Sequence, residues 1–176
     1  MNAVATNALP VRPAAGPPQG GTAPSGGSEP REAVSVGALL PAPRFDMLGG
    51  RAAVVRLVDA FYRHMDTRPG ARGIRALHEP DLASTKAVLV LYLCEWLGGP
   101  KDYSARRGHP RLRRRHAGFP IGVAERDAWL ACMSAALDDA GAAPALRDEL
   151  MAAFFKTADS MRNRAEVPAP ISPLVS

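Results

Sequence analysis

Residues 98–133 read GGPKDYSARRGHPRLRRRHAGFPIGVAERDAWLACM, and they separate two kinds of chain. From Lys101 to Phe119 no hydrophobic period is kept, and Gly108-His109-Pro110 and Gly118-Phe119-Pro120 punctuate the run. It reads as an irregular connector with short helical pieces. After Pro120 a 3.6-residue period returns, with Ala128, Trp129, Cys132, Met133, Ala136 and Leu137 on one face of a helix.

The same period extends outward on both sides. From Gly50, apolar residues Val54, Val55, Val58, Phe61, Tyr62 and Met65 draw a stripe along a helix that stops before Pro69-Gly70. Asp81 is placed to cap a second helix, whose stripe runs Leu82, Thr85, Leu89, Tyr92, Leu93 and Trp96 up to Gly98-Gly99-Pro100. Downstream, Leu146, Leu150, Ala153, Phe154, Thr157 and Met161 mark a fourth helix. No segment alternates like a strand with hairpin turns. The expected class is all-α, with four principal helices and a long connector.

Residues 1–44 hold 8 of the 17 Pro, 6 of the 16 Gly and 9 Ala, with no aromatic residue. Such a segment buries too little apolar surface to offset backbone ordering of roughly 1–2 kcal/mol per residue, and a disordered tail is expected. The folded domain then covers 45–165, and 166–176 forms a C-terminal tail. No apolar run approaches the roughly 20 residues that cross a bilayer, so no membrane partner is expected. Cys94 and Cys132 both fall in apolar helical patterns and make neither a disulfide framework nor a spaced metal site. With no secretory leader pattern at the N-terminus, a reduced, cytoplasmic protein is the expectation.

The net charge of +5 is local. Residues 101–116 carry 7 basic side chains and one acid, which leaves 15 basic against 16 acidic elsewhere. A polyanion-binding surface is therefore not general to the chain, and the Gly-His-Pro and Gly-Phe-Pro breaks interrupt any helix that would align the arginines for nucleic acid.

An all-α core without a catalytic carboxylate pair, a Gly-rich phosphate loop or a His-Glu-x-x-His pair suits a haem or another apolar ligand. The available axial ligands are His64, His78, His109 and His116. A lone histidine beside a helix is more often a surface residue than a ligand, but its surroundings here point the other way. The 98–133 stretch, together with LGGRAAVVRLVDAFYRHM (48–65) and DLASTKAVLVLYLCEWLGGP (81–100), closely resembles the group II truncated haemoglobins, the 2-on-2 globins of bacteria and plants. The resemblance covers about 115 residues in several spaced motifs.

The resemblance implies a 2-on-2 globin sandwich around haem b, with His116 as the proximal ligand of the iron and its other ring nitrogen held by a backbone carbonyl. His109 belongs to the Gly-His-Pro element that shapes the connector. On the distal side it places Tyr62 and Trp129, whose O–H and N–H act as donors toward bound dioxygen in a dry pocket. Thr85 and Leu89, one turn apart, cover the same face. Tyr103 with Arg111 or Arg113 are the expected propionate partners, Thr85 sharing that role, because Val88 stands where relatives often carry Lys or Arg. Either Leu77 or His78 takes the position before Asp81 that lines the distal pocket, and His78 there adds a third polar group or a sixth ligand.

Two classes of function follow. One is a gas-binding haem protein in which two donors slow ligand release, suiting storage, sensing or redox chemistry. The other is a peroxidase-like or nitric-oxide-detoxifying enzyme. With no flavin or nicotinamide domain, that enzyme needs an external electron-donor reductase. The family implies a monomer or homodimer, and the basic connector is expected to meet two propionates and an acidic donor protein.

Overall fold

The computed structural model describes residues 43–165. The tails expected at 1–44 and 166–176 lie outside the described residues except for Pro43 and Arg44. Arg44 opens a helix: the carbonyl of Pro43 accepts from the N–H groups of Asp46 and Met47, and the Arg44 guanidinium is paired with Glu149. The domain thus starts slightly earlier than the composition shift implies.

The elements are α1 (Arg44–Leu48), α2 (Gly50–Thr67), a 3-10 turn (Pro69–Ala71), α3 (Arg72–Ala76), α4 (Ala83–Trp96), α5 (Asp102–Arg107), α6 (Leu112–His116), α7 (Val123–Asp139) and α8 (Pro144–Ser160). No strand occurs among the described residues. The four long helices are the four expected. Helices α1 and α3 were not foreseen, since five residues are too few to display a period.

The long helices form two pairs, α2 with α4 and α7 with α8, joined where α2 lies against α7. Ion pairs Arg126–Asp159 and Arg147–Asp138 show that α8 runs back along α7. Helix α2 is the shared element and buries Ala53, Val54, Leu57, Val58, Ala60, Phe61, Tyr62 and Met65. Each large side chain among them contributes about 1.5–3 kcal/mol by leaving water. Val55, expected in the stripe, is 40% exposed. At 100° per residue, Val54 and Val58 take the inward direction and turn Val55 out.

The two glycine pairs of the sequence meet at one ring. Gly49 and Gly50 turn the corner from α1 to α2 with φ of +105° and +68°. Gly98, at φ +94°, ends α4, with Gly98 N–H on Glu95 O and Gly99 N–H on Cys94 O, the paired closure that satisfies the last helical carbonyls. Phe45 sits at both pairs: a Cβ on Gly50 would lie 3.8 Å from its Cε1, and one on Gly99 only 2.7 Å from its Cδ2.

Helix α4 is apolar nearly all round, as befits a helix with partners on two sides. Asp81 accepts from the Ala83 N–H at 2.9 Å, acting one residue before Leu82, the helix's own N-cap. The expected single stripe is split. Leu82, Val90, Leu93, Cys94 and Leu97 are buried, whereas Thr85, Leu89, Tyr92 and Trp96 form a second, half-buried row at steps of four, three and four.

Candidate functional site

Helix α6 ends on His116. The connector sets it up: His109 Nδ1 accepts the Arg111 N–H at 3.1 Å, Arg111 takes a left-handed φ of +44°, and Arg115 Nε donates to Pro110 O. His109 thus shapes the loop, as expected. The His116 Nδ1 lies 2.8 Å from Leu112 O. A carbonyl only accepts, so Nδ1 carries the proton and the neutral ring leaves an in-plane lone pair on Nε2.

His78 repeats this arrangement, its Nδ1 lying 2.8 Å from Ile74 O. Burial holds its pKa below the usual histidine value; the bond to Ile74 opposes this, and the charges of Arg75 and His116 add to the lowering. The two half-buried imidazoles are thus within electrostatic reach of each other. The loop carrying His78 is folded by Arg75, whose guanidinium bonds Asp66, Glu79 O and Pro80 O. His64 is engaged elsewhere, paired with Asp139.

Tyr62, on α2, is 3% exposed. Its ring meets Phe61 edge-on at 5.0 Å and His78 edge-on at 5.7 Å, so of Leu77 and His78 it is the histidine whose ring stands beside the tyrosine. Burial pushes the phenol far above its ordinary pKa, with the Arg75 charge offsetting a small part, and it stays a donor at physiological pH. Trp129, on α7, packs 5.3 Å from Phe61 and 5.6 Å from Phe154, and Phe154 stacks on Trp96 at 4.8 Å. A continuous aromatic wall therefore runs from His78 through Tyr62, Phe61, Trp129 and Phe154 to Trp96.

No side chain or backbone group among the described residues hydrogen-bonds the Tyr62 hydroxyl, the Trp129 N–H, or the Nε2 of His78 or His116.

Thr85 and Leu89 lie in the half-buried row of α4. Tyr103 is buried, edge-on to Tyr92 at 5.6 Å; burial of Tyr92, with the neighbouring Tyr103 adding electrostatically, pushes the Tyr92 hydroxyl up to about 12. Arg111 and Arg113 are exposed, and their guanidinium groups have no partner among the described residues. Lys86 is committed to Asp59. Sequence reasoning did not single out Phe61, Phe154 or Arg75 for this region. The first two were legible as core aromatics, while Arg75 gives no local signal because two of its three acceptors, Glu79 O and Pro80 O, are backbone carbonyls.

Comparison with known proteins identifies the family. A family model described as bacterial-like globin matches residues 44–163. The group 2 truncated haemoglobin YjbI of Bacillus subtilis is 36% identical over 117 residues, 66% of this chain and 86% of that protein. Among solved structures, the haemoglobin of Chloroflexus aurantiacus is 44% identical with a TM-score of 0.65, covering 70% of this chain and 99% of that one. The group II 2-on-2 haemoglobin of Agrobacterium tumefaciens is 42% identical with a TM-score of 0.67, covering 69% and 95%. The chain belongs to the bacterial-like globins and, within them, to the group II truncated haemoglobins.

Haem, with its iron, is the cofactor of this family, and its members bind diatomic gases such as oxygen. The residues present fit the group: an imidazole with a free Nε2, aromatic and aliphatic walls for a macrocycle, and protonated donors without protein partners. No helix among the described residues is long and apolar enough to cross a membrane.

Proposed function

We propose that this chain binds haem b through His116 Nε2 and holds a diatomic gas, dioxygen in the first instance, in a pocket faced by Tyr62, Trp129 and His78. When bound, the haem iron supplies reversible coordination of the gas. His116 orients through its Nδ1–H bond to Leu112 O, which also makes Nε2 a stronger base. Tyr62 and Trp129 donate hydrogen bonds to the partly negative outer atom of the gas, in surroundings where water does not compete. Leu89 limits the room beside the gas, and the smaller Thr85 leaves an approach. Tyr103, Thr85, Arg111 and Arg113 serve the propionates, the two arginines having no side-chain partner among the described residues. The remaining exposed arginines of the connector face an acidic electron donor. Free Cys94 and Cys132 suit a reducing, cytoplasmic setting.

The observation that carries this reading is the 2.8 Å contact of His116 Nδ1 with Leu112 O, which fixes the tautomer a proximal ligand needs. The test is an absorption spectrum. The purified protein should show a Soret band that His116→Ala abolishes, and full haem retention in that variant would refute the assignment.

A second reading is favoured by His78. With Nδ1–H committed to Ile74 O, its neutral ring offers Nε2 as a proton acceptor rather than a donor. That suits a pocket that takes a proton from a hydroperoxide, in line with peroxidase-like turnover supplied by an external reductase. Absence of peroxide or nitric oxide turnover under reduction would remove it.

A further inference from the structure

Helix α6 has five residues and buries none of them, so the element that carries His116 is poorly anchored by its own side chains. Anchorage arrives from the far end of the chain. Asn163, just past α8, donates from Nδ2 to Phe119 O at 2.8 Å and to His116 O at 3.3 Å, and its Oδ1 accepts the Ile121 N–H at 3.0 Å. Its own N–H bonds Ile121 O at 2.9 Å, and Arg164 N–H joins the same carbonyl at 3.1 Å. One side chain therefore grips three backbone groups of the turn that follows the histidine, including the carbonyl of the histidine itself.

The grip is itself supported. Asp159, four residues earlier, bonds both Arg126 of α7 and Arg162, and the Arg126 guanidinium lies 5.1 Å over the Phe155 ring. The charge-assisted pairs tie the end of α8 to α7, so Asn163 approaches the turn from a fixed frame. His116 O receives a second donor, the Phe119 N–H at 3.1 Å, which closes the turn on the opposite side. Leu112 O thus aims the ring, and Asn163 locates the backbone from which the ring hangs.

We infer that Asn163 is a positioning residue for His116: it sets where α6 ends and hence the direction from which the imidazole presents Nε2. This rests on the assignment of His116 as the axial ligand. Partners that orient a ligand are typically worth ten- to a hundred-fold in affinity for the metal they serve indirectly.

The test uses the ferrous, gas-free holoprotein and reads the iron–imidazole stretching band by resonance Raman, with haem transfer to an apoglobin scavenger as a second measure. Asn163→Ala should shift and broaden the band and speed haem loss by roughly ten-fold. If that variant does not fold, Asn163→Asp carries the test, because it keeps the acceptor for Ile121 N–H but turns carboxylate oxygens toward the two carbonyls. In a His116→Gly background supplied with free imidazole, the ligand is no longer tied to α6, and the Asn163 substitution should leave the band in place. A band that does not move with the histidine present, or that moves equally with free imidazole, overturns the inference. Absence of any iron–imidazole band in the unsubstituted protein instead overturns the axial assignment.

Discussion

The Nδ1–H of His116 points at the carbonyl of Leu112, one helical turn back, at 2.8 Å. His78 does the same with Ile74. Two half-buried histidines on different elements thus commit Nδ1–H to a carbonyl by the same local device, and in the neutral ring of each Nε2 keeps its lone pair. Their difference lies in their surroundings: His78 sits beside a buried phenol and the Arg75 charge, His116 at the end of a short helix held by Asn163.

Removal of either distal donor should loosen the gas. On the proposed reading each of Tyr62→Phe and Trp129→Phe deletes one hydrogen bond to the gas of about 1–1.5 kcal/mol; the first keeps the ring that packs on Phe61, and the second leaves a smaller aromatic ring there. Stopped-flow measurement of dioxygen release should find each off-rate raised about ten-fold. An unchanged rate in both variants would mean that neither side chain touches the gas.

Stability should fall as pH drops below the ordinary histidine range, in part through His78. Its folded pKa is lowered, so the unfolded chain takes up the proton first. The stabilising effect is fully present above about 6.5 and is lost as pH falls toward the folded value. Urea midpoints at neutral and mildly acidic pH should therefore differ less in His78→Gln than in the parent. An equal loss in both would clear His78 of the effect.

Gly99 should tolerate no side chain. A Cβ there would stand 2.7 Å from the Phe45 ring and 2.8 Å from Cys94 O, and the carbonyl belongs to helix backbone that cannot step aside. Gly99→Ala should cost about 1–3 kcal/mol in chemical denaturation. Gly70→Ala is the comparison, since nothing lies within 4 Å of its Cβ, and it should be neutral or slightly stabilising.

Arg75→Ala should release the loop that presents His78, because three acceptors, Asp66, Glu79 O and Pro80 O, lose their donor together. About 1–2 kcal/mol of stability should go with them. The His78 pKa should rise toward its ordinary value, both from the lost charge and from greater access to water, and an NMR titration of the imidazole reads this directly. A pKa that stays put would show that Arg75 holds neither the loop nor the field at His78.

The four long helices were legible in the chain because their signal is local: apolar residues at steps of three and four, closed by Pro69, by Gly98-Gly99 and by Pro120. The family resemblance was legible for a related reason, since its motifs lie in the connector and at helix ends, where backbone geometry restricts the residue types. The same motifs single out His116, Tyr62 and Trp129 as candidates for the site. Which of Leu77 and His78 would stand beside Tyr62 could not, because the answer depends on how Arg75 folds the intervening loop. The split of the α4 stripe was also hidden: periodicity marks a residue as apolar without saying whether its neighbour is another helix or an open wall. Asn163 left no trace at all, for its three acceptor and donor partners lie more than 40 residues away and are backbone groups that any sequence supplies. Short-range pattern settled the elements and the family, whereas the pairing of α8's end with the turn after His116 exists only once α7 and α8 have come together, since contact between distant backbone groups leaves no mark on residue type.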